Sequence, residues 1–178
     1  MHRNPNLIIV LLALLWQSAA FALSTDREQP IKIEADTATV DDGKGFGVYQ
    51  GNVVVTQGTI LINADKVTFH YDKKQQLEKV FAYGNPVRFK QRPDNNPEDL
   101  HAKAQQMEYF ALKDMLNLLQ DAELWQGKDT FTGQRISYDT KQSVIKADKG
   151  DKKEGQRITV TLQPRNNKPQ PATPTPKP

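Results

Sequence analysis

An all-β protein of short antiparallel strands is what this sequence predicts, and three observations carry that expectation. Apolar residues alternate with period two over most of residues 30–162, the pattern of strands that turn one face inward. Turn residues such as Gly51-Asn52, Gln57-Gly58 and Gly84-Asn85-Pro86 cut the alternation into short runs. Strand-turn-strand units also recur with no helix between them, which means stacked hairpins, each covering the apolar edge of the one before.

Taken in chain order, the amino terminus comes first. Arg3 precedes the ten-residue apolar run Leu7 to Trp16, and Ala20-Phe21-Ala22 places small residues where a signal peptidase reads. Residues 1–22 are expected to be a cleaved export signal, since ten residues are too few to span a bilayer. Strand expectations then follow at Ile31 and Ile33, Val53 and Val55, Ile60 and Ile62, and Val67 to Tyr71. They continue at Val80 to Tyr83, Val87 and Phe89, Met107 and Tyr109, Leu116 to Leu119, and Leu124 with Trp125. The last are Phe131, Ile136 and Tyr138, Val144 and Ile145, and Ile158 to Leu162, about fifteen short strands in all. Glu98 to Gln120 contains good helix formers, but the alternation of Met107 with Tyr109 and the turn-like Leu112-Lys113-Asp114 favour two strands. Residues 23–162 thus form one β domain. Gln163 to Pro178 holds six of the eleven prolines and only Ala172 to bury, so a disordered tail is expected there.

The repeat is specific enough to align. Ala64-Asp65-Lys66-Val67-Thr68-Phe69 matches Ala104 to Tyr109 and Gly133 to Tyr138, with Ala35 to Val40 as a looser copy. Gly51-Asn52-Val53, Gly84-Asn85-Pro86-Val87 and a degenerate Asp121-Ala122-Glu123-Leu124 are read as strand openers out of phase with it. Two sheets of such strands would face each other across an apolar lining about 10 Å thick, as in a jelly roll or sandwich. A transmembrane barrel is disfavoured because its strands run to roughly 9–11 residues. Sheets left unsealed along one side would form a groove suited to acyl chains, and sealed sheets an ordinary closed core. The alternation leaves both open.

Charge and composition remove other classes. The chain has 24 Lys and Arg against 21 Asp and Glu, but residues 23–162 hold 20 and 21, so the basic excess sits in the ends. No basic stripe with interleaved aromatics exists between them, which argues against nucleic acid. There is no cysteine, no Gly-rich phosphate loop and no metal-spaced histidine pair, His70 and His101 being 31 residues apart. No cofactor and no metal is expected. Asp41-Asp42-Gly43-Lys44-Gly45 fits a hairpin turn better than a cation loop. Carboxylate pairs such as Glu98-Asp99, or Asp36 with Asp65, keep a sugar-active enzyme as an alternative, with a soluble carrier of another lipid or of lipoproteins as a second.

Four segments are similar to one family. Gln29 to Asp36 (QPIKIEAD), Gly51 to Val67 (GNVVVTQGTILINADKV), Tyr83 to Phe89 (YGNPVRF) and Ala104 to Tyr109 (AQQMEY) resemble the LptA/OstA family of periplasmic lipopolysaccharide-transport bridge proteins. The likeness covers about 130 residues in order, with departures in the proline-rich tail and at Asp121-Ala122. It implies an open, slightly twisted antiparallel β-jelly roll of about 16 strands, located in the periplasm and without enzymatic activity. Implied partners are lipopolysaccharide through its lipid A, an inner-membrane-tethered protein of the same fold (LptC-like), the periplasmic domain of an outer-membrane barrel (LptD-like), and further copies of the chain.

Side-chain parity then nominates residues. Ile31, Ile33, Val53, Phe69, Phe89, Met107, Tyr109, Ile136 and Tyr138 are expected to line a lipid groove. Ile31, Ile158, Val160 and Leu162, on the first and last strands, are expected at the edges where protomers join.

Overall fold

The computed structural model describes residues 25–94, 96–150 and 157–164. The expected signal segment, the Asp151 to Glu154 loop and all but the first two residues of the expected tail lie outside the described residues. After a 3-10 helix, Thr25–Glu28, come β1 (Lys32–Glu34), β2 (Thr37–Asp41), β3 (Phe46–Gln57), β4 (Ile60–Tyr71) and β5 (Leu77–Gln91). β6 (Leu100–Phe110), β7 (Met115–Gln126), β8 (Asp129–Asp139), β9 (Val144–Asp148) and β10 (Thr159–Thr161) complete the fold. All pairings are antiparallel. β3 to β8 pair in sequence order, with β1 and β2 sharing β3 at one end and β9 and β10 sharing β8 at the other. The sheet is open, because among the described residues no pairing joins the two ends.

The all-β expectation holds, and Glu98 to Gln120 forms strands as expected, joined at a 3-10 turn over Ala111–Lys113. The strand count needs a correction. The expected short runs are halves of longer strands, Ile60 to Ile62 and Val67 to Tyr71 both belonging to the twelve-residue β4. Each of β3 to β8 is interrupted near its middle, where the register shifts or the partner strand changes. Counting those six strands as two segments each, beside the four short ones, gives sixteen segments. With strands of 11 to 15 residues, length no longer separates this fold from a membrane barrel; the open ends do.

The interruptions explain the repeat. Gly51-Asn52, Gly84-Asn85-Pro86 and Gln120-Asp121 lie in the middle of β3, β5 and β7, where register shifts place extra residues against the neighbouring strands. They are bulges, not the strand openers that glycine and asparagine suggested; at Gly51-Asn52 and Gln120-Asp121 the bulge asks for the same left-handed backbone as a turn. Gly51 and Asn52 have φ of 81° and 46°, and Gln120 and Asp121 repeat this with 65° and 52°. On the even strands the repeat's small residue and its first large apolar residue, Ala64 and Val67 or Ala104 and Met107, are both buried although three positions apart. One extra residue there flips the parity so that both halves keep their apolar face inward.

A corner of bulges therefore divides the stack into two facing sheets. The first contains β1, the second half of β3, the first half of β4 and the segments they pair with, ending at β10. The second contains β2, the first half of β3 and the segments paired with it, ending at β9. Hairpin turns lie along the free edges opposite the corner. Between the sheets a single cluster of 19 buried apolar residues runs the length of the stack, from Val53 and Val55 to Ile136 and Tyr138.

Candidate functional site

The space between the sheets collects every residue that parity nominated for the lining. Val53, Phe69, Phe89, Met107, Ile136 and Tyr138 are buried in the central cluster, and Ile31, Ile33 and Tyr109 pack against it from partly buried positions. They do not line an open trough. Val53, Leu118, Leu124 and Ile136 are each at most 1% exposed, so side chains fill the interior. Two surface hollows, of about 550 and 390 Å³, contain none of the nine nominated residues. One is walled by Asp26, Thr59, Arg92, Pro93, Asp94, Asn96 and Pro97, the other by polar groups beside the corner, including Lys103, Asp121 and Gln134.

Parity missed part of the interior. Leu116, Leu118 and Leu124 of β7 are 4, 0 and 0% exposed, within the range of the buried nominated residues, and the alternation of Leu116 with Leu118 was the available signal. The interior is also graded. Ala64, Ala82, Ala104 and Ala122 are buried beside the corner bulges, while Phe69, Phe89, Leu124 and Tyr138 lie nearer the free edges. Burial raises the Tyr138 hydroxyl above its ordinary value, with the neighbouring Asp139 charge adding to it and a hydrogen bond from Ser143 opposing.

A second feature was invisible in the sequence. The 3-10 helix Thr25–Glu28 crosses from one free edge to the other. On the first sheet's edge, buried Asp26 accepts the Thr59 amide on Oδ1 at 2.7 Å, and the Thr59 hydroxyl at 2.7 Å and Gln91 Nε2 at 3.2 Å on Oδ2. Gln57 Nε2 donates to the carbonyls of Arg27 and Gln29 at 3.3 and 3.1 Å. On the second sheet's edge, Arg27 donates to the Tyr109 hydroxyl at 2.7 Å and pairs with Asp114 in the β6–β7 turn.

The residues considered for catalysis have structural work. His70 sits on the outer face between Phe46 and Phe81, ring centroids 5.9 and 5.5 Å away, and His101 stacks on Trp125 at 5.2 Å. Asp99 is held by Lys90 and Arg92, whose hydrogen bonds lower its carboxyl below the ordinary range. Asp36 accepts Asn52 Nδ2 at 2.9 Å and so braces the first bulge. Asp41 accepts the Lys44 amide at 3.0 Å in a tight turn, as expected of that segment. Among the described residues no group of three or more His, Cys, Asp or Glu could hold a metal ion.

At the edges, Ile158, Val160 and Leu162 are 42, 47 and 64% exposed, and Val160 is registered against Phe131 on the lining side. At the other end β1 and β2 pair only with β3 among the described residues, which leaves their outer edges without a strand partner there.

Comparison with known proteins converges on one family. Residues 32–144 match the family described as LptA/(LptD N-terminal domain) LPS transport protein. The chain is 38% identical to the lipopolysaccharide export system protein LptH of Pseudomonas aeruginosa over 141 residues, covering 79% of this chain and 81% of that protein. It is 37% identical to LptA of Escherichia coli K12 over 166 residues, covering 92% and 89%. The crystal structure of P. aeruginosa LptH, described as the LptA-homologous periplasmic component of the lipopolysaccharide transport device, superposes with a TM-score of 0.73 at 34% identity. That superposition covers 79% of this chain and 99% of LptH.

Proposed function

This chain belongs to the LptA/(LptD N-terminal domain) family of lipopolysaccharide transport proteins, and we propose that it carries lipopolysaccharide with the acyl chains held between its two sheets. It is a periplasmic component of lipopolysaccharide export, a transport protein and not an enzyme. One observation supports the proposed mode of binding above others: one apolar cluster extends across the stack from Ile31 and Ile33 at the β1 end to Ile145 and Ala147 of β9.

Physical chemistry sets the need. Exposing one acyl chain to water costs on the order of 10 kcal/mol, at about 0.8 kcal/mol per methylene over roughly a dozen methylenes. An interior that receives the chains removes that cost, and one that continues into a neighbour removes it at each transfer. Ile31, Ile33, Val53, Phe69, Phe89, Met107, Tyr109, Ile136 and Tyr138 are the proposed contacts. A photo-reactive residue at Phe89, which is buried, should crosslink lipopolysaccharide in cells, while one at outward-facing Arg88 should not. Equal labelling at the two positions would refute the parity argument.

The proposed bridge uses the unpaired edges. β10 with Ile158, Val160 and Leu162 would add to the β1 edge near Ile31 of the next protomer, or to the matching edge of an LptC-like or LptD-like partner. Such a contact is heterologous and does not close, so assemblies of variable length are expected. Removing residues 156–178 should give monomers that still bind lipid, whereas removing residues 168–178 alone should leave self-association intact. Undiminished association of the shorter product would overturn the edge-to-edge arrangement.

A further inference from the structure

The segment Thr25–Gln29 occupies a position that the transport reading does not use. It lies across the gap between the two free edges, opposite the corner where the sheets are covalently continuous. If acyl chains enter between the sheets, the edges must part, and this segment is tied to both of them.

We infer that Thr25–Gln29 is a latch over the lipid entrance, fixed to one sheet by Asp26 and releasable from the other at Arg27. The inference rests on the proposed groove. Asp26 is the anchored end. It is 5% exposed, the only buried charged residue among the described ones, and three donors from Thr59 and Gln91 converge on its carboxylate. Gly58 makes room for it, since a β-carbon there would lie 2.2 Å from Asp26 Oδ1. Arg27 is the releasable end. Its side chain is 52% exposed, and among the described residues it holds the second sheet through the Tyr109 hydroxyl and Asp114. Losing the Asp26 contacts would leave a buried carboxylate without its three donors, whereas the half-exposed Arg27 can turn to water, at the cost of uncovering the Asp114 carboxylate, whose side chain is 19% exposed. The asymmetry makes one end a hinge and the other a catch. Tyr109 joins the two roles, its ring packing on the apolar cluster while its hydroxyl accepts from the latch.

The chain has no cysteine, so a closed latch can be made covalently. Arg27→Cys and Asp114→Cys in the mature protein would be joined by a short bis-maleimide and compared with the same protein capped at both thiols by a monofunctional maleimide. The readout is the rate at which a photo-reactive residue at Phe89 becomes labelled on mixing with fluorescent lipopolysaccharide. The joined protein should load at least tenfold more slowly than the capped one. Asp26→Ala, which frees the anchored end, should load faster than the unmodified protein, with the far-ultraviolet spectrum showing that the sheet persists. Equal rates for joined and capped protein, with Phe89 labelled in both, would overturn the latch and leave the groove standing. Failure of the unmodified protein to label at Phe89 would overturn the groove, and the latch with it.

Discussion

Replacing one residue at each of two equivalent corners should change stability in opposite directions. Gly51 in β3 and Gln120 in β7 each begin a pair of left-handed residues, with φ of 81° and 65°. At Gly51 a β-carbon would lie 2.2 Å from Asp36 Oδ2 and 2.8 Å from Asp36 Cβ. Gly51→Ala therefore incurs about 1 kcal/mol for left-handed backbone and about 1 kcal/mol more for displacing Asp36 from Asn52, some 2 kcal/mol in all. Gln120 already bears the backbone cost, and its side chain is exposed. Gln120→Gly relieves about 1–2 kcal/mol of left-handed strain and gives back roughly 0.4–1 kcal/mol through the freer unfolded chain, a net gain of about 0.5–1 kcal/mol. At roughly 3–4 °C per kcal/mol for a domain of this size, thermal unfolding should fall by about 7 °C for Gly51→Ala and rise by about 2–3 °C for Gln120→Gly. Calorimetry at one fixed low protein concentration keeps self-association from contributing. If Gln120→Gly lowers the midpoint as far as Gly51→Ala does, the two bulges are not equivalent corners.

Other expectations follow from single contacts. Leu118→Ala should cost about 3–4 kcal/mol and Ile136→Val about 1 kcal/mol in urea unfolding, since both residues are fully buried. Asp99 has a carboxyl held low by Lys90 and Arg92, so its contribution is present above the ordinary value of 3.8 and is lost as pH falls through the lower folded value. The difference in melting between wild type and Asp99→Asn should thus vanish at the acid end of that window and be constant from pH 5 to 8. Tyr138 has a raised hydroxyl, so its contribution is undiminished below the ordinary value of 10.0 and lost as pH rises from there through the folded value. Tyr138→Phe should accordingly gain on wild type above pH 10, and a constant difference there would contradict the burial of that hydroxyl.

Parity was legible wherever a half-strand carried three or more alternating positions, which is why all nine nominated residues fall in or against the cluster. Strand length was not. Gly84-Asn85-Pro86 has the composition of a turn that reverses the chain, yet β5 runs through it from Leu77 to Gln91. Only the partner strands distinguish a bulge from a hairpin, and partners are set by long-range pairing. The third corner was doubted for want of Gly-Asn, but Gln120-Asp121 adopts the same left-handed pair without it. The Thr25–Glu28 segment was illegible for the same reason. A short run of Thr, Asp, Arg and Glu reads as a polar leader, and its meaning lies in Thr59, Gln91 and Tyr109, 33 to 82 residues away.

Grading within the interior bears on how a packed core can also be a binding site. Ala64, Ala82, Ala104 and Ala122 beside the corner leave little side chain to displace, and the bulges there keep the two sheets continuous. On the proposed reading, parting the sheets about that corner would move the free edges most, the side of the buried cluster that holds Phe69, Phe89, Leu124 and Tyr138. An acyl chain entering at those edges exchanges side-chain contacts for chain contacts, so little apolar area is exposed to water in either arrangement. The apolar interior is then nearly indifferent to whether it is filled by itself or by lipid, which suits a carrier that must also release its cargo. In the proposed latch, closed and open differ in the Arg27 contacts with Tyr109 and Asp114, while the Asp26 anchor and the Gln57 amide hold in both. On that proposal, stability of the closed arrangement and access to the interior are adjustable at the rim without altering the proposed lining.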